Sequence, residues 1–294
     1  MHLKIGTRGS SLARAQAEKV ADLLNADGVS TELIFISTIG DEQTGVPLHE
    51  IGGQGVFVRA LDDALLSGEI DVAVHSMKDI PAVRPDGLET TAILKRDSPA
   101  DFVVTEKDKD NIRVIGTSST RRAAQIRRQW LDITIKPLRG NVDTRIAKLR
   151  AGEYDAIVLA EAGLQRLSLA LPGFRLNPAI HVPSTNQGTI AIVSRKDPEI
   201  REVLTRIDDP LTRTDTMIER AVMEEIGGGC YTPLGIFCRE QYLIAEVLSL
   251  EGDRIFRLER PVAEVSAARR FGEEIRSGAG HLIDEAYKRL GLTS

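Results

Sequence analysis

Ile5-Gly6-Thr7-Arg8-Gly9-Ser10-Ser11-Leu-Ala-Arg-Ala-Gln16 has a counterpart later in the chain, Ile115-Gly116-Thr117-Ser118-Ser119-Thr120-Arg121-Arg122-Ala-Ala-Gln125. Each stretch predicts a short apolar strand, a turn of glycine and hydroxyl residues, and a helix with a Ser or Thr N-cap. A second pair follows in the same order. Leu66-Ser-Gly68-Glu69-Ile-Asp71-Val-Ala-Val74 matches Leu149-Arg-Ala-Gly152-Glu153-Tyr-Asp155-Ala-Ile-Val158, where a helix ends, glycine caps it and a buried strand begins. Between the members of each pair lies a glycine-bearing turn that opens a helix: Gly52-Gly-Gln-Gly55-Val-Phe57 in one copy, Arg139-Gly140-Asn141-Val-Asp-Thr-Arg145 in the other. Strands alternating with helices imply parallel sheets covered by helices. The expectation is two similar α/β domains facing each other across a cleft.

The rest of the chain has a different rhythm. A helix pattern from Thr216 to Ile226 stops at Gly227. Alternating strands, Tyr242 to Leu250 and Arg254 to Pro261, are joined by Glu251-Gly252-Asp253, a hairpin signal. An amphipathic helix pattern runs from Ser266 to Leu290 and is broken near Ser277-Gly278-Ala-Gly280. This is a small α+β domain. With a domain crossing at Lys95-Arg-Asp-Ser-Pro99 and a return between Ser184 and Arg195, the expected boundaries are 1–95 with 189–207, 98–186, and 210–294.

Composition excludes several classes. In 294 residues, 42% hydrophobic and 28% charged residues describe an ordinary globular protein, and no apolar run reaches the length of a membrane span. Met1-His-Leu-Lys-Ile-Gly6 leads straight into a strand, so no signal peptide is expected, and two cysteines fit a reducing cytoplasm. Cys230 and Cys238 are too few for a structural zinc site, and none of His2, His49, His75, His181 or His281 lies at ligand spacing from them. No metal is expected. A net charge of −5 argues against a general nucleic-acid partner.

Within this acidic chain, Arg8, Arg121, Arg122, Arg139 and Arg145 sit at strand-to-helix turns. Helix N-termini offer unpaired N–H groups, and arginine adds a planar fork suited to carboxylate or phosphate. Ser10, Thr117, Ser118 and Ser119 supply further hydrogen bonds. The ligand expected is a multiply charged anion. Neither the P-loop nor the dinucleotide glycine pattern is present, so a nucleotide-dependent enzyme is the weaker reading. The buried strand Asp71-Val-Ala-Val-His75 breaks into Ser76-Met-Lys78-Asp79-Ile-Pro81, which puts Ser76, Lys78 and Asp79 at a strand's carboxyl end, where open α/β sheets bind ligands. A carboxylate there can stabilise a developing cation or relay protons; its bland alternative is a turn cap. Glu225-Ile-Gly-Gly-Gly-Cys230-Tyr-Thr-Pro233 puts a thiol on three glycines, either a helix end followed by a small apolar residue or an approachable nucleophile. Cys238, in Leu234-Gly-Ile-Phe-Cys238, is expected to be buried and apolar.

His75-Ser-Met-Lys-Asp79, Gly116-Thr-Ser-Ser-Thr-Arg-Arg122, Leu138-Arg-Gly-Asn-Val-Asp-Thr-Arg145 and Gly228-Gly-Cys230, in that order, resemble the porphobilinogen deaminases, also called hydroxymethylbilane synthases. The resemblance runs from Lys4 to the C-terminus. It implies two α/β domains like those of periplasmic binding proteins plus a small C-terminal α+β domain. It further implies a monomer, a dipyrromethane cofactor on a thioether to Cys230, and porphobilinogen as substrate, polymerised head to tail with loss of ammonia. Since each porphobilinogen carries an acetate and a propionate, the growing chain gains negative charge at every step. The resemblance assigns Ser76, Lys78, Asp79, Thr117, Ser118, Ser119, Arg121, Arg122, Arg139 and Gly140 to the cofactor, and Arg8, Ser10, Phe57, Arg145, Gln187 and Gly188 to the substrate. Asp79 becomes the catalytic carboxylate, paired with the cation left when ammonia departs. Gln54 stands where bacterial members often have lysine, and the segment Pro183-Ser-Thr-Asn-Gln187-Gly188 is poorer in glycine than is usual. On this reading Arg→Leu changes at 121, 122, 139 and 145 leave the protein folded. The rival is a non-catalytic organic-anion binding protein on the same scaffold, which has no need of a third-domain thiol.

Overall fold

Both copies of the repeat adopt the same local structure. The computed structural model describes residues 1–37, 56–81, 84–227 and 231–291, with only the backbone of Val56 and Phe57. In chain order the elements begin β1 (His2–Thr7), α1 (Ser11–Ala26), β2 (Ser30–Phe35), α2 (Val56–Ser67), β3 (Val72–Ser76) and β4 (Leu88–Ile93). They continue β5 (Asp101–Val104), β6 (Val114–Gly116), α3 (Thr120–Gln129), β7 (Thr134–Lys136), α4 (Val142–Arg150), β8 (Ala156–Ala160), α5 (Glu161–Arg166) and β9 (Gly173–Arg175). Next come β10 (Ile190–Arg195), α6 (Pro198–Thr205), α7 (Pro210–Ile226), β11 (Leu234–Arg239), β12 (Tyr242–Leu248), β13 (Ile255–Pro261) and α8 (Val265–Arg289). The chain divides into one unit of Met1–Asp97, Gln165–Ser168 and Gly188–Arg213, and a second of Ser98–Leu164, Leu169–Gln187 and Thr214–Ser294.

The first unit holds a sheet in the order β2-β1-β3-β10-β4, and the second holds one in the order β7-β6-β8-β5-β9. Equivalent residues do equivalent work in the two. A Cβ on Gly6 would meet Ile70 at 2.2 Å and one on Gly116 would meet Tyr154 at 2.7 Å, so glycine admits the residue that covers the strand. Asp71 accepts from Lys4 N at 2.9 Å, and Asp155 from Val114 N at 2.8 Å, tying each β3-like strand to the start of its β1-like neighbour.

Neither sheet is wholly parallel, contrary to the expectation from alternation. β10 runs antiparallel to β3 and β4, and β5 antiparallel to β8 and β9. These two strands enter their sheets from distant chain rather than through a βαβ crossover, so the rule that makes consecutive units parallel does not govern them.

The second unit also contains the antiparallel sheet β11-β12-β13. Phe271, Ile275, Ala279 and Leu282 of α8 share a core with Ile236, Leu243 and Val247 of this sheet and Val222 of α7. Helix α7 begins at Pro210, earlier than the sequence pattern predicts, because Pro at the first helical position is well tolerated. Helix α8 is continuous through Gly278 and Gly280, where the glycine pair predicts a break. The reason is packing: a Cβ on Gly278 would lie 2.2 Å from the Phe256 ring, so the glycine lets β13 approach the helix backbone. Gly278→Ala is therefore expected to destabilise by about 1–3 kcal/mol through overpacking. Gly280, with nothing within 4 Å of a Cβ, is expected to gain roughly 0.5–1 kcal/mol on change to Ala. Opposite shifts of melting temperature check this pair, and equal shifts would remove the packing explanation.

Candidate active site

In the first unit the candidate residues gather at the carboxyl ends of two neighbouring parallel strands. β1 pairs with β3 through Ile5 and Gly6 opposite Val72 and Ala73, so Arg8 and the residues after Ser76 leave the sheet at the same edge. Ser10 caps α1, its hydroxyl accepting from Ala13 N at 3.3 Å. Ser76 is held by Gln16, whose amide donates to its hydroxyl at 2.8 Å. Beyond it, Met77–Asp79 form a 3₁₀ turn. Met77 and Ile80 are buried on either side, and Met77 N donates to Thr189 O at 3.0 Å. The turn is thus anchored from within while Lys78 and Asp79 are exposed. His75 is buried behind them, and burial, aided by the charges of Arg84 and Arg8, pushes its imidazole down to about 3. It is neutral at physiological pH and provides no cation there.

Arg166, at the end of α5, is the charged residue that sequence reading missed. Its Nε donates to Asp97 at 2.8 Å and its Nη2 to Gly188 O at 2.7 Å. Burial lowers its guanidinium, and the charges of Asp97 and Asp79 oppose that, so its field reaches the Asp79 carboxylate. The available signal was its place just after β8, the second copy's equivalent of β3.

In the second unit the turn from β6 into α3 is built from hydroxyl groups. Ser119 caps α3 by accepting from Arg122 N at 3.4 Å, and Thr117 Oγ1 accepts from Ser119 N at 3.2 Å. Ser118 donates to Leu138 O and accepts from Leu138 N, at 2.9 and 3.0 Å, joining this turn to the one that carries Arg139. Arg139 is exposed. Gly140 has φ +112 and is packed against Thr144, conditions that only glycine meets. Asn141 caps α4, and Arg145 Nε donates to Gly140 O at 2.8 Å. Burial, with Arg122 nearby, pushes the Arg145 guanidinium down to about 10, so it stays charged at neutral pH.

Arg121 and Arg122 differ from these. They are only 4% and 8% exposed, and both bind Asp101 of β5, itself 1% exposed. Arg121 Nη1 donates to Asp101 at 2.8 Å; Arg122 donates to the same carboxylate through Nε at 3.0 Å and Nη2 at 2.8 Å. Burial works to raise the Asp101 carboxyl, and the two guanidiniums overcome it, leaving the group well below its ordinary value. The expectation that Arg121→Leu and Arg122→Leu leave the fold intact is therefore corrected, since either change strands part of a buried charge cluster. Gln187, expected at the substrate, has partners within the protein. Its side chain is wholly buried, and its amide donates to Pro99 O at 2.7 Å and Asp101 at 2.9 Å. Gly188 is likewise buried and gives its carbonyl to Arg166.

Cys238 is buried as expected, its thiol donating to Asp215 at 3.4 Å and its N–H to Glu219 at 2.8 Å. Cys230, Gln54 and the side chain of Phe57 lie outside the described residues. Among the described residues no group of carboxylates, histidines and cysteines is arranged to hold a metal, and no helix is long and apolar enough to cross a membrane.

A family model described as "Porphobilinogen deaminase, dipyromethane cofactor binding domain" matches residues 3–202, and one described as "Porphobilinogen deaminase, C-terminal domain" matches 214–278. The chain belongs to the porphobilinogen deaminase family. Relatives named probable porphobilinogen deaminase include one from Methanosarcina acetivorans, 47% identical over 97% of this chain and 95% of its own. Another, from Methanocella arvoryzae, is 47% identical over 98% and 99%. A porphobilinogen deaminase from Syntrophobacter fumaroxidans is 40% identical over 97% and 98%. Among solved structures, a periplasmic substrate-binding protein of an ABC transporter from Coxiella burnetii aligns over 72% of this chain and 94% of its own, with TM-score 0.43 and 12% identity.

Membership makes the chain a transferase of tetrapyrrole synthesis with a dipyrromethane-binding domain. The residues present suit that cofactor, whose pyrroles carry several carboxylates. Among the described residues Arg121 Nε is buried without an acceptor, an orphaned donor on a guanidinium whose Nη1 is fully occupied. A carboxylate is the acceptor such a group calls for.

Proposed function

We propose that this porphobilinogen deaminase joins four porphobilinogen molecules head to tail on a dipyrromethane primer held by Cys230, releases four ammonia molecules, and hydrolyses off linear hydroxymethylbilane. The observation that carries the reading is an exposed carboxylate, Asp79, on an internally anchored turn at the end of a buried strand. Three domains would share the work: 1–95 with 189–207, 98–186, and 210–294. The enzyme is proposed to act in the cytoplasm as a monomer, without nucleic acid or membrane.

The dipyrromethane, when bound, supplies an electron-rich pyrrole carbon as the starting point for growth. The chain's own residues do the rest. Ser76, Lys78, Thr117, Ser118, Ser119, Arg121, Arg122, Arg139 and Gly140 are proposed to hold the cofactor, with Arg8, Ser10, Arg145 and Phe57 serving the incoming substrate. Gln187 and Gly188 are proposed to serve the substrate as well, while also holding Asp101 and Arg166. When the substrate's C–N bond breaks, the electron pair leaves with ammonia and a cation spreads over the pyrrole. Asp79 is the counter-charge for that cation, kept in place by the turn. With the dipyrromethane bound, the same carboxylate would also accept the proton released when a new C–C bond forms.

The mass of the intact purified protein tests this reading. It is expected to exceed the mass of the chain by two pyrrole units, with peptide mapping locating the adduct on Cys230. Cys230→Ser protein is expected to lack the adduct and all turnover. An adduct on Cys238, or active enzyme without any adduct, overturns the assignment.

A further inference from the structure

Arg121 is tied to the third sheet by a short chain of buried polar groups. Its Nη1 donates to Gln125 Oε1 at 2.9 Å, one turn along α3. The Gln125 amide nitrogen donates to Val182 O and to Glu246 Oε1, both at 2.8 Å. Glu246, on β12, is 1% exposed, and its other oxygen accepts from Arg257 of β13 at 3.1 Å. The β12–β13 hairpin holds the same helix at two more points. Arg127 Nη1 donates to Leu250 O at 2.7 Å, and Gly252 sits so close that a Cβ would meet Ala124 O at 2.2 Å.

The direction of each bond in this chain is forced. Gln125 presents oxygen to a guanidinium and nitrogen to a carboxylate; turned over, its amide would face a donor with a donor and an acceptor with an acceptor. The carboxylate at Glu246 therefore sets the amide, and the amide sets the guanidinium plane. Burial pushes Glu246 up against the opposing pull of Gln125 and Arg257, and buried ionic groups seldom stabilise better than apolar ones of the same shape. What the arrangement does is hold Nη1 of the guanidinium that carries the orphaned Nε.

We propose that Gln125 and Glu246 are positioning residues for the reaction, through which the third sheet fixes the Arg121 guanidinium in the orientation that receives a cofactor carboxylate. This rests on the reading of Arg121 as a cofactor-binding residue. It also gives the small C-terminal domain a role besides presenting a thiol.

The test uses full-length Glu246→Gln, Gln125→Met, the exchange Gln125→Glu with Glu246→Gln, and Arg121→Lys. Three quantities are read: melting temperature, the fraction of protein carrying the two-pyrrole adduct, and turnover per loaded enzyme. Glu246→Gln and Gln125→Met are shape-conserving but leave buried partners unpaired, so each is expected to melt several degrees below wild type while remaining folded at the assay temperature. They should nevertheless lose adduct occupancy or turnover on the order of tenfold, the scale of a misplaced contact group. The exchange variant restores an acceptor for Arg121 and a donor facing it, so it should recover much of what Glu246→Gln loses. Full occupancy and turnover in Glu246→Gln and Gln125→Met overturn the proposal, as do losses that merely follow melting temperature or an exchange variant with no recovery. Arg121→Lys separates the two layers. If it is impaired while the 125 and 246 variants are normal, only the relay fails; if it too is normal, the reading of Arg121 fails with it.

Discussion

Asp79→Asn enzyme is expected to fold, to carry its pyrroles, and to consume porphobilinogen about 10²–10³-fold more slowly than wild type. The fold should survive because the turn is held by the buried side chains of Met77 and Ile80 and by the bond from Met77 N to Thr189 O, while Asp79 itself is exposed. Pyrrole retention should survive because attachment is assigned to Cys230 and carboxylate binding to the arginines. What the substitution removes is a negative charge at the place where positive charge appears. Loss of ammonia creates a delocalised cation, and a preorganised group of opposite sign typically contributes roughly 3–4 kcal/mol to such a transition state. Asparagine keeps the shape and offers only a dipole. Asp79→Glu keeps the charge but displaces it by a methylene, so an intermediate rate is expected. The measurement is porphobilinogen consumption by folded, adduct-bearing protein. Near-normal consumption by Asp79→Asn would reduce Asp79 to a turn residue, and the proposed mechanism would fail with it.

Much of this arrangement was legible in the sequence because its determinants are local. The repeated strand, glycine turn and hydroxyl cap appear in both copies, down to Ser10 and Ser119 at equivalent helix starts. The hairpin around Gly252 and the helix end at Gly227 follow from the same short-range rules. The misses are long-range. Nothing near β10 or β5 states which strands they will join, so their antiparallel placement was out of reach. Gly278 looked like a helix breaker because its partner, the Phe256 ring, is supplied by a different element. Five arginines looked alike for the same reason. Arg121 and Arg122 have their counter-ion on β5, while Arg145 donates to the nearby carbonyl of Gly140. Chain-local chemistry can mark a residue as suited to anions, but burial and sheet pairing decide whether the anion is the protein's own.

That distinction yields the largest expected stability change, at Asp101. Asp101→Asn is expected to destabilise the fold by about 3–5 kcal/mol, because it leaves two buried guanidiniums facing a neutral amide that also brings donors of its own. The wild-type carboxylate accepts from Arg121, Arg122 and Gln187, and none of these has water to turn to when it goes. In a chain of this size the loss corresponds to a melting temperature lower by roughly 10 °C. The pH dependence has a definite sign. Burial raises the Asp101 carboxyl, the two guanidiniums more than offset it, and the folded value lies below the ordinary 3.8. A carboxylate depressed on folding contributes stability that is fully present above its unfolded value and is lost as pH falls through the folded one. The gap in melting temperature between wild type and Asp101→Asn is therefore expected to be flat from pH 8 to pH 5 and to narrow only in acid below about 3.8. Arg145→Leu is the control: half-buried and turned toward a backbone carbonyl, it should melt close to wild type while losing turnover. Thermal unfolding followed by circular dichroism across that pH range reads all three proteins. If Asp101→Asn melts with wild type at pH 7, the charge cluster does not hold the second unit together. Arg121 and Arg122 would then stand beside Arg145, as arginines whose charge serves the ligand and not the fold.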